Sequence, residues 1–283
     1  VKSEKEESVH YDSLIIATGT KSNSALWTLH NSFSDTSSAF EELNASIAAA
    51  KEILIAGGGP VGVETTGEIA YKHKAGNKDI TLLSGSTGLL TYLKHAGVTK
   101  GAESQLSALG VKVVHNVRVV STSSLPGGKT EVVLSDGGKR TVDLYIDATG
   151  GVPNTQFLPA SWLDDRKRVV ASPTNLRTPI SNVYALGDVA SFSKGNVPDS
   201  VWSVPALGYS VYEDLSHGGK ALKEKRYKQI QASMGIVPIG PKSGVGVLFG
   251  WRVPGWFVWL LKGRNFMMEN APGVATGAQF VKA

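Results

Sequence analysis

Gly57, Gly59 and Gly62 stand in the spacing Gly-x-Gly-x-x-Gly, with Pro60 and Val61 between the last two. That spacing does chemistry in one context only, directly after a strand and at the opening of a helix. Residues Glu52–Ala56 (EILIA) form a short apolar run of strand type, and residues 61–73 follow with helical composition, so the context is met. There Gly57 makes the turn, Gly59 lets the backbone approach a pyrophosphate, and Gly62 lets helix and strand pack closely. The positive end of the helix faces the phosphates. The plainer alternative is a glycine-rich turn that holds no ligand.

The next strand, Asp79–Ser84 (DITLLS), completes a βαβ unit by pattern. An acid at its end would grip the 2′-hydroxyl of NAD, and an arginine nearby would suit the 2′-phosphate of NADP. Leu83-Ser84-Gly85 offers neither, so this stretch does not choose between the two cofactors. Ser84 is placed either to bond a ribose or, as strand-end serines commonly do, to form the turn.

The elements that must position these residues recur along the chain. The phrase at residues 12–19 (DSLIIATG) returns at residues 143–150 (DLYIDATG), each time as a buried strand ending in small residues. Residues 20–38 read as a polar, Ser-rich connection and 39–50 as a helix. A helix is expected at 100–109, a strand at 111–115, a hairpin-like region around Pro126-Gly127-Gly128 and Asp136-Gly137-Gly138, and strands at 144–150 and 182–186. The tail from Gly235 reads as a separate small unit. With 283 residues, 41% hydrophobic and 19% charged, the chain has the balance of a globular protein with one large or two ordinary domains. The 32 glycines favour tight turns and close backbone approaches over a helical bundle. A formal charge of +5 is a mild excess that does not single out nucleic acid. The absence of cysteine removes disulfides, thiolate zinc sites and cysteine nucleophiles, and favours an intracellular address. No metal site is expected. The chain opens on a polar stretch and on valine, so no secretory signal begins it and an earlier natural start is expected.

Taken together, the paired ATG strands, the glycine loop and residues 178–188 (TPISNVYALGD) resemble the two-dinucleotide flavoprotein oxidoreductases. The resemblance implies an α/β, FAD/NAD(P)-binding Rossmann-like fold, with an NAD(P)H domain inserted into an FAD domain. It assigns residues 1–45 and 151–228 to the FAD domain, 46–150 to the NAD(P)H domain and 229–283 to a C-terminal segment. The FAD domain's own glycine loop is missing, so the chain is expected to be an N-terminally truncated piece. By the same resemblance FAD and NAD(P)H are the cofactors. Asp188 would bond the ribityl and pyrophosphate region of FAD with Gly187 allowing close approach. Thr18 and Gly19 would lie near its adenylate side. Gly150 closes the second ATG strand beside the NAD(P)H loop. Glu64 would help place the nicotinamide, often with a lysine from the N-terminal region that is not identifiable here. A helix starting at 205–208 would turn N-terminal amides, that of Ala206 among them, toward the flavin, or is a plain amphipathic helix start.

Disulfide reductases of this architecture need a cysteine pair in the inserted domain, or a His-Glu pair in a long C-terminal domain. The chain has no cysteine and its last histidine is His217. The tail at 234–250 and 261–266 instead resembles apoptosis-inducing-factor-like flavoproteins of the AMID or ferroptosis-suppressor type. That resemblance implies oxidation of NAD(P)H with a quinone-like acceptor, and an address at the mitochondrial surface or a lipid droplet. Type II NADH dehydrogenases rank second. Residues 245–261 (VGVLFGWRVPGWFVWLL) are interrupted by Arg252 and Pro254, too short and broken for a spanning helix. Their clustered Trp251, Trp256 and Trp259 suit either a membrane interface or the packed core of the flavin domain. The basic run at 220–228 (KALKEKRYK) reads as a solvated helix face, with anionic lipid or DNA as the other partners such a run takes. A DNA-binding or death-signalling role is the second class of function, and nucleic acid is disfavoured because no reading helix or stacking aromatics accompany the run.

Overall fold

The computed structural model describes residues 8–73, 78–216 and 222–277. His217 and residues 220–221 of the basic run lie outside them. The chain divides into two compact units: residues 1–21 with 151–231, and residues 22–150 with 232–283. The second unit is thus inserted into the first, and the chain returns to it at the C-terminus.

In the inserted unit, four parallel strands lie in the order Lys112–His115, Asp79–Ser84, Glu52–Ala56, Leu144–Asp147. Successive residues of a strand face opposite sides. Ile53, Ile55, Leu82 and Ile146 therefore join Val63, Val98 and Leu106 in one core, while Leu54 and Leu83 join Val117, Val132 and Val142 in another. With both faces covered, these strands read as unbroken apolar runs. Each fully buried Leu or Ile contributes roughly 1.5–3 kcal/mol. Helices Pro60–Lys72 and Ala96–Ala108 cover the first face. An antiparallel sheet of Val119–Ser124, Thr130–Leu134 and Lys139–Val142 covers the other, built from the region expected to be hairpin-like.

The helix Phe33–Ala49 begins inside the stretch expected to be a connection. Ser32 caps it: its hydroxyl accepts from the Asp35 amide at 3.3 Å, and the Asp35 carboxylate accepts from the Ser32 amide at 3.2 Å. This reciprocal pair satisfies two orphan donors and outweighs the weak helix propensity of the serines that follow.

The C-terminal strands Gly235–Pro238, Gly244–Leu248 and Trp251–Val253 form an antiparallel sheet. Val237, Ile239, Val245 and Val247 enter the same core as Ile53 and Val63. The tail therefore shares its core with the inserted unit and does not stand as a separate small one. Gly67 makes this possible, since a Cβ there would lie 3.0 Å from the Ile239 Cα and the Gly240 amide nitrogen.

The other unit holds a parallel pair, Leu14–Ile16 with Val183–Ala185, and the helices Val197–Val201 and Val204–Leu215. Ile16, Val169, Val183, Ala185 and Val189 form one core, and Leu176, Tyr184, Ala206, Leu207 and Tyr227 a second. Residues 222–228 of the basic run are exposed apart from Tyr227, and carry no helix. Tyr227 is pulled inward, its amide donating to the Thr174 carbonyl and its hydroxyl to Asp199 Oδ1, both at 2.7 Å. That anchoring holds an irregular path where a helical face was expected.

Candidate functional site

At the carboxyl end of Glu52–Ala56 the chain enters the glycine loop. Gly57 has φ +132°, and a Cβ on it would fall 2.2 Å from the Ala148 carbonyl oxygen of the neighbouring strand. Its amide donates to the Leu83 carbonyl at 2.9 Å, tying the turn to the strand on the other side. A Cβ on Gly62 would fall 1.9 Å from the Gly57 carbonyl oxygen, so the first turn of the helix sits directly on the loop. Gly59 caps that helix with no side chain, and a Cβ on it would meet nothing within 4 Å. Pro60 occupies the first turn, where its missing N–H costs nothing. Two of the glycines are thus required by packing, and the third leaves open space before the helix N-terminus.

That space is a cleft of about 500 Å³. Its floor is Ala56 to Val61, its sides are Leu83 to Ser86 and Ala148 to Gly150, and Leu90 to Tyr92 and Val117 to Val119 complete it. It lies at the carboxyl ends of the parallel strands, where open α/β sheets bind ligands. Its size is in the range of small-molecule and cofactor pockets. Gly150, with φ +102°, ends the second ATG strand at the rim. The turn before it is held by Asp147, whose Oδ1 accepts from the Thr149 amide at 3.0 Å and hydroxyl at 2.6 Å. Partial burial works to raise the Asp147 pKa, but the Thr149 bonds and one from Asn23 outweigh it and hold the carboxyl below its ordinary value. Ser84 lines the cleft, yet its buried hydroxyl donates to the Gly88 carbonyl at 3.0 Å and closes the 84–88 loop. The serine is committed to the turn, not held ready for a ribose.

Glu64 lies one turn further along the same helix, outside the cleft lining. Lys262 Nζ donates to its Oε1 at 2.6 Å, from a π-helical turn at Trp259–Gly263. Such turns interrupt regular helix and recur at functional sites. Burial raises the Glu64 pKa above 4.5, and Lys262 opposes that rise without cancelling it. Glu68, one turn on, is raised by burial and by the Glu64 charge, and its Oε1 is buried with no hydrogen-bond partner among the described residues. Tyr92, on the cleft wall, is pushed up to about 12 by burial and by Glu64. The cation beside Glu64 comes from the C-terminal segment, where the resemblance pointed to an N-terminal lysine.

In the other unit, Gly187 has φ +76° and is followed by Asp188, whose half-buried carboxylate has no partner among the described residues. A left-handed glycine before an unsatisfied carboxylate fits one hydrogen-bonding end of FAD. Thr18 and Gly19 end the first ATG strand. The Thr18 hydroxyl donates to the Asn154 carbonyl at 2.8 Å, the Asn154 side chain donates to the Thr18 carbonyl at 2.9 Å, and the Asn154 amide donates to the Gly19 carbonyl at 3.0 Å. Ala206 does not present an amide outward. Its N–H donates to the Ser203 carbonyl at 3.0 Å and its side chain is buried in the core of Tyr184 and Leu207.

Sequence reasoning passed over Lys262, Tyr92, Asp147 and Arg118. Arg118 stands on the cleft wall between the strands Lys112–His115 and Val119–Ser124, with its Nη2 donating to the Gly85 carbonyl at 3.0 Å. Trp251 and Trp256 are 79% and 63% exposed, so they are not core residues. Among the described residues no helix is long and apolar enough to cross a membrane.

The family model of pyridine nucleotide-disulphide oxidoreductases matches residues 1–235. The chain is 33% identical over 307 residues to oxidoreductase phnG of Penicillium herquei, covering 100% of this chain and 73% of that relative. It is 26% identical to apoptosis-inducing factor 1 of Saccharomyces cerevisiae, over 94% of this chain and 74% of the relative. The solved structure of LpdA from Mycobacterium tuberculosis superposes on 83% of this chain and 48% of its own, with a TM-score of 0.58 at 18% identity, a likeness of fold. With a match that runs through most of its length, the chain belongs to the pyridine nucleotide-disulphide oxidoreductase family.

Proposed function

We propose that this protein is an oxidoreductase that binds NAD(P)H in the cleft above Gly57, Gly59 and Gly62 and works with FAD to pass electrons to a quinone-like acceptor. Family membership implies both cofactors. The observation that carries the reading is the glycine loop: two glycines at which an added Cβ would fall 2.2 and 1.9 Å from backbone carbonyl oxygens, and the third open toward a cleft at the mouth of a parallel sheet. In this reading the inserted unit, residues 22–150 with 232–283, is the NAD(P)H domain, and the unit of residues 1–21 with 151–231 belongs to the FAD domain; residues 22–45, expected with the FAD domain, fall in the inserted unit because Leu43 and Ile47 pack on its core. Gly59 and the first turn of the helix hold the pyrophosphate, with Pro60 and Val61 forming the edge of the floor. Gly150 and Thr149 border the same cleft. Asp188, with Gly187, holds the ribityl and pyrophosphate region of FAD, and Thr18 and Gly19 lie near its adenylate side. Glu64, kept in place by Lys262, orients the nicotinamide and does not serve as an obligatory acid. Bound FAD supplies the ring that takes a hydride from the nicotinamide and releases electrons to the acceptor. The protein's own part is orientation and a dry contact.

The exposed Trp251 and Trp256, beside Phe249 and Leu260, support a peripheral contact with the bilayer in which a quinone dissolves. The test of function is spectroscopic. The purified protein is supplied with FAD, titrated anaerobically with NADH or NADPH, and then given a soluble quinone. Bleaching of a flavin band and its recovery on quinone addition are expected. A protein that binds neither nicotinamide nucleotide by calorimetry, and leaves the flavin band unchanged, overturns the proposal.

A further inference from the structure

Resting on the dinucleotide reading of the cleft, we propose that Arg118 selects a 2′-phosphorylated cofactor, so that the protein prefers NADPH to NADH. The end of the strand Asp79–Ser84 is where the adenosine ribose of a dinucleotide is discriminated. Among the described residues lining the cleft there is no Asp or Glu, and Arg118 alone carries charge. Ser84, the polar side chain nearest the strand end, is 1% exposed and spends its hydroxyl on the 84–88 loop. Nothing there is suited to grip a bare 2′-hydroxyl in the manner of an acid.

Arg118 reaches this place because of backbone ties. The Val117 amide donates to the Ser84 carbonyl at 3.2 Å, and the Asn116 amide to the Ser86 carbonyl at 3.1 Å. Asn116 turns the chain with φ +59°, a conformation that Asn tolerates better than most residues. The Arg118 amide donates to Ser135 Oγ at 2.9 Å, and its carbonyl accepts from the Ser135 amide at 2.9 Å. The side chain then lies across Gly85, where an added Cβ would fall 2.9 Å from Arg118 Cγ and Cζ. Glycine at 85 is thus what lets the guanidinium lie flat at the strand end.

One Nη2–H is used on the Gly85 carbonyl, which leaves most of the fork's five donors free. No carboxylate is within ion-pair distance of Arg118 among the described residues. An unneutralised, preoriented guanidinium is matched to a phosphate dianion by charge and by its planar donor geometry. A hydroxyl gains little from it.

The test uses adenosine 2′,5′-bisphosphate and 5′-AMP as probes, which differ only in the 2′-phosphate, titrated calorimetrically into the purified protein. Charge-assisted bonds of this kind are worth roughly 1.5–3 kcal/mol, or about 10–100-fold in affinity. The bisphosphate is therefore expected to bind more tightly than AMP by that factor in low salt, with the advantage shrinking as salt rises. Arg118→Ala should abolish the difference while leaving AMP binding intact, and Arg118→Lys should keep part of it. Circular dichroism should show an unchanged fold, because the turn keeps the bonds made by the backbone of Asn116, Val117 and Arg118 and loses only the side-chain bond to the Gly85 carbonyl. Equal affinity of the wild type for the two probes, or an Arg118→Ala variant that weakens both alike, refutes the assignment while the dinucleotide cleft stands. Failure of both probes to bind removes the cleft reading along with it.

Discussion

Replacing Gly62 and Gly59 separately by alanine distinguishes a glycine needed for packing from one needed to leave room for a ligand. At Gly62 the new methyl would start 1.9 Å from the Gly57 carbonyl oxygen and 2.9 Å from its carbon. Both neighbours are backbone, and Gly57 is itself pinned between the Leu83 and Ala148 strands, so relief demands that helix and loop separate by about an ångström. Overpacking of this kind costs about 3 kcal/mol or more, and the better helix propensity of alanine returns about 1 kcal/mol, for a net loss near 2 kcal/mol. At Gly59 the methyl meets nothing within 4 Å and φ is −84°, a value alanine adopts freely. There the entropy gained by removing a glycine, about 0.4–1 kcal/mol, is offset by alanine's poor performance as a helix cap, so stability should stay within about 0.5 kcal/mol. The methyl points into the cleft, however, and should weaken nucleotide binding at least tenfold. Urea unfolding at constant m-value reads the first effect, and calorimetric titration with 5′-AMP reads the second. A Gly62→Ala protein as stable as the wild type, or a Gly59→Ala protein that binds AMP unchanged, would refute the division of labour among these glycines.

Lys262→Met should leave Glu64 buried without its cation and cost roughly 1–3 kcal/mol near neutral pH, a figure kept low because both side chains retain some solvent. A carboxyl whose folded pKa is raised contributes stability that is complete below its unfolded value, near 4.5, and is lost as pH rises through the folded value. The variant should therefore lose stability more steeply than the wild type as pH climbs above 4.5, as measured by thermal melts across pH. Parallel curves would remove the role assigned to the pair. Asp143 behaves in the opposite sense. The amides of Glu52 and Lys51, each at 2.9 Å, and then Lys129 hold its pKa at about 2, so its contribution is present above about 3.8 and fades as pH falls through 2. Asp143→Asn should flatten that acid limb, the two proteins converging in stability only below pH 2, and an unaltered acid limb would count against the bonds. Liposome flotation of a Trp256→Ser, Trp259→Ser variant should show reduced binding to vesicles, and undiminished flotation would argue against the exposed aromatics as a membrane contact.

The glycine loop and the strands around it were legible without coordinates because their information is local. Left-handed or crowded backbone positions demand glycine, and strands covered on both faces demand unbroken apolar residues; Glu52–Ala56 and Asp79–Ser84 fall where their composition places them. The helix Phe33–Ala49 was equally local in origin, since Ser32 and Asp35 form its cap, but the serines around them masked the signal. Ala206 illustrates the reverse case: a helix start was foreseen, while the direction in which that residue points depended on Tyr184 and Leu207.

Other features were decided by contacts that no spacing encodes. Lys262 meets Glu64 across 198 residues of chain, and it can do so only because the C-terminal strands fill the core beside the helix Pro60–Lys72. Arg118 reaches Gly85 because two loops are clipped together by the Ser84 and Ser86 carbonyls, groups that every residue type possesses and that leave no trace in composition. Short-range spacing thus determined where a phosphate-binding turn must form, since backbone conformation is set by immediate neighbours and by the lack of a side chain. Which charges stand at that turn was settled only by tertiary closure, because electrostatic partners are chosen by proximity in space and not by order along the chain.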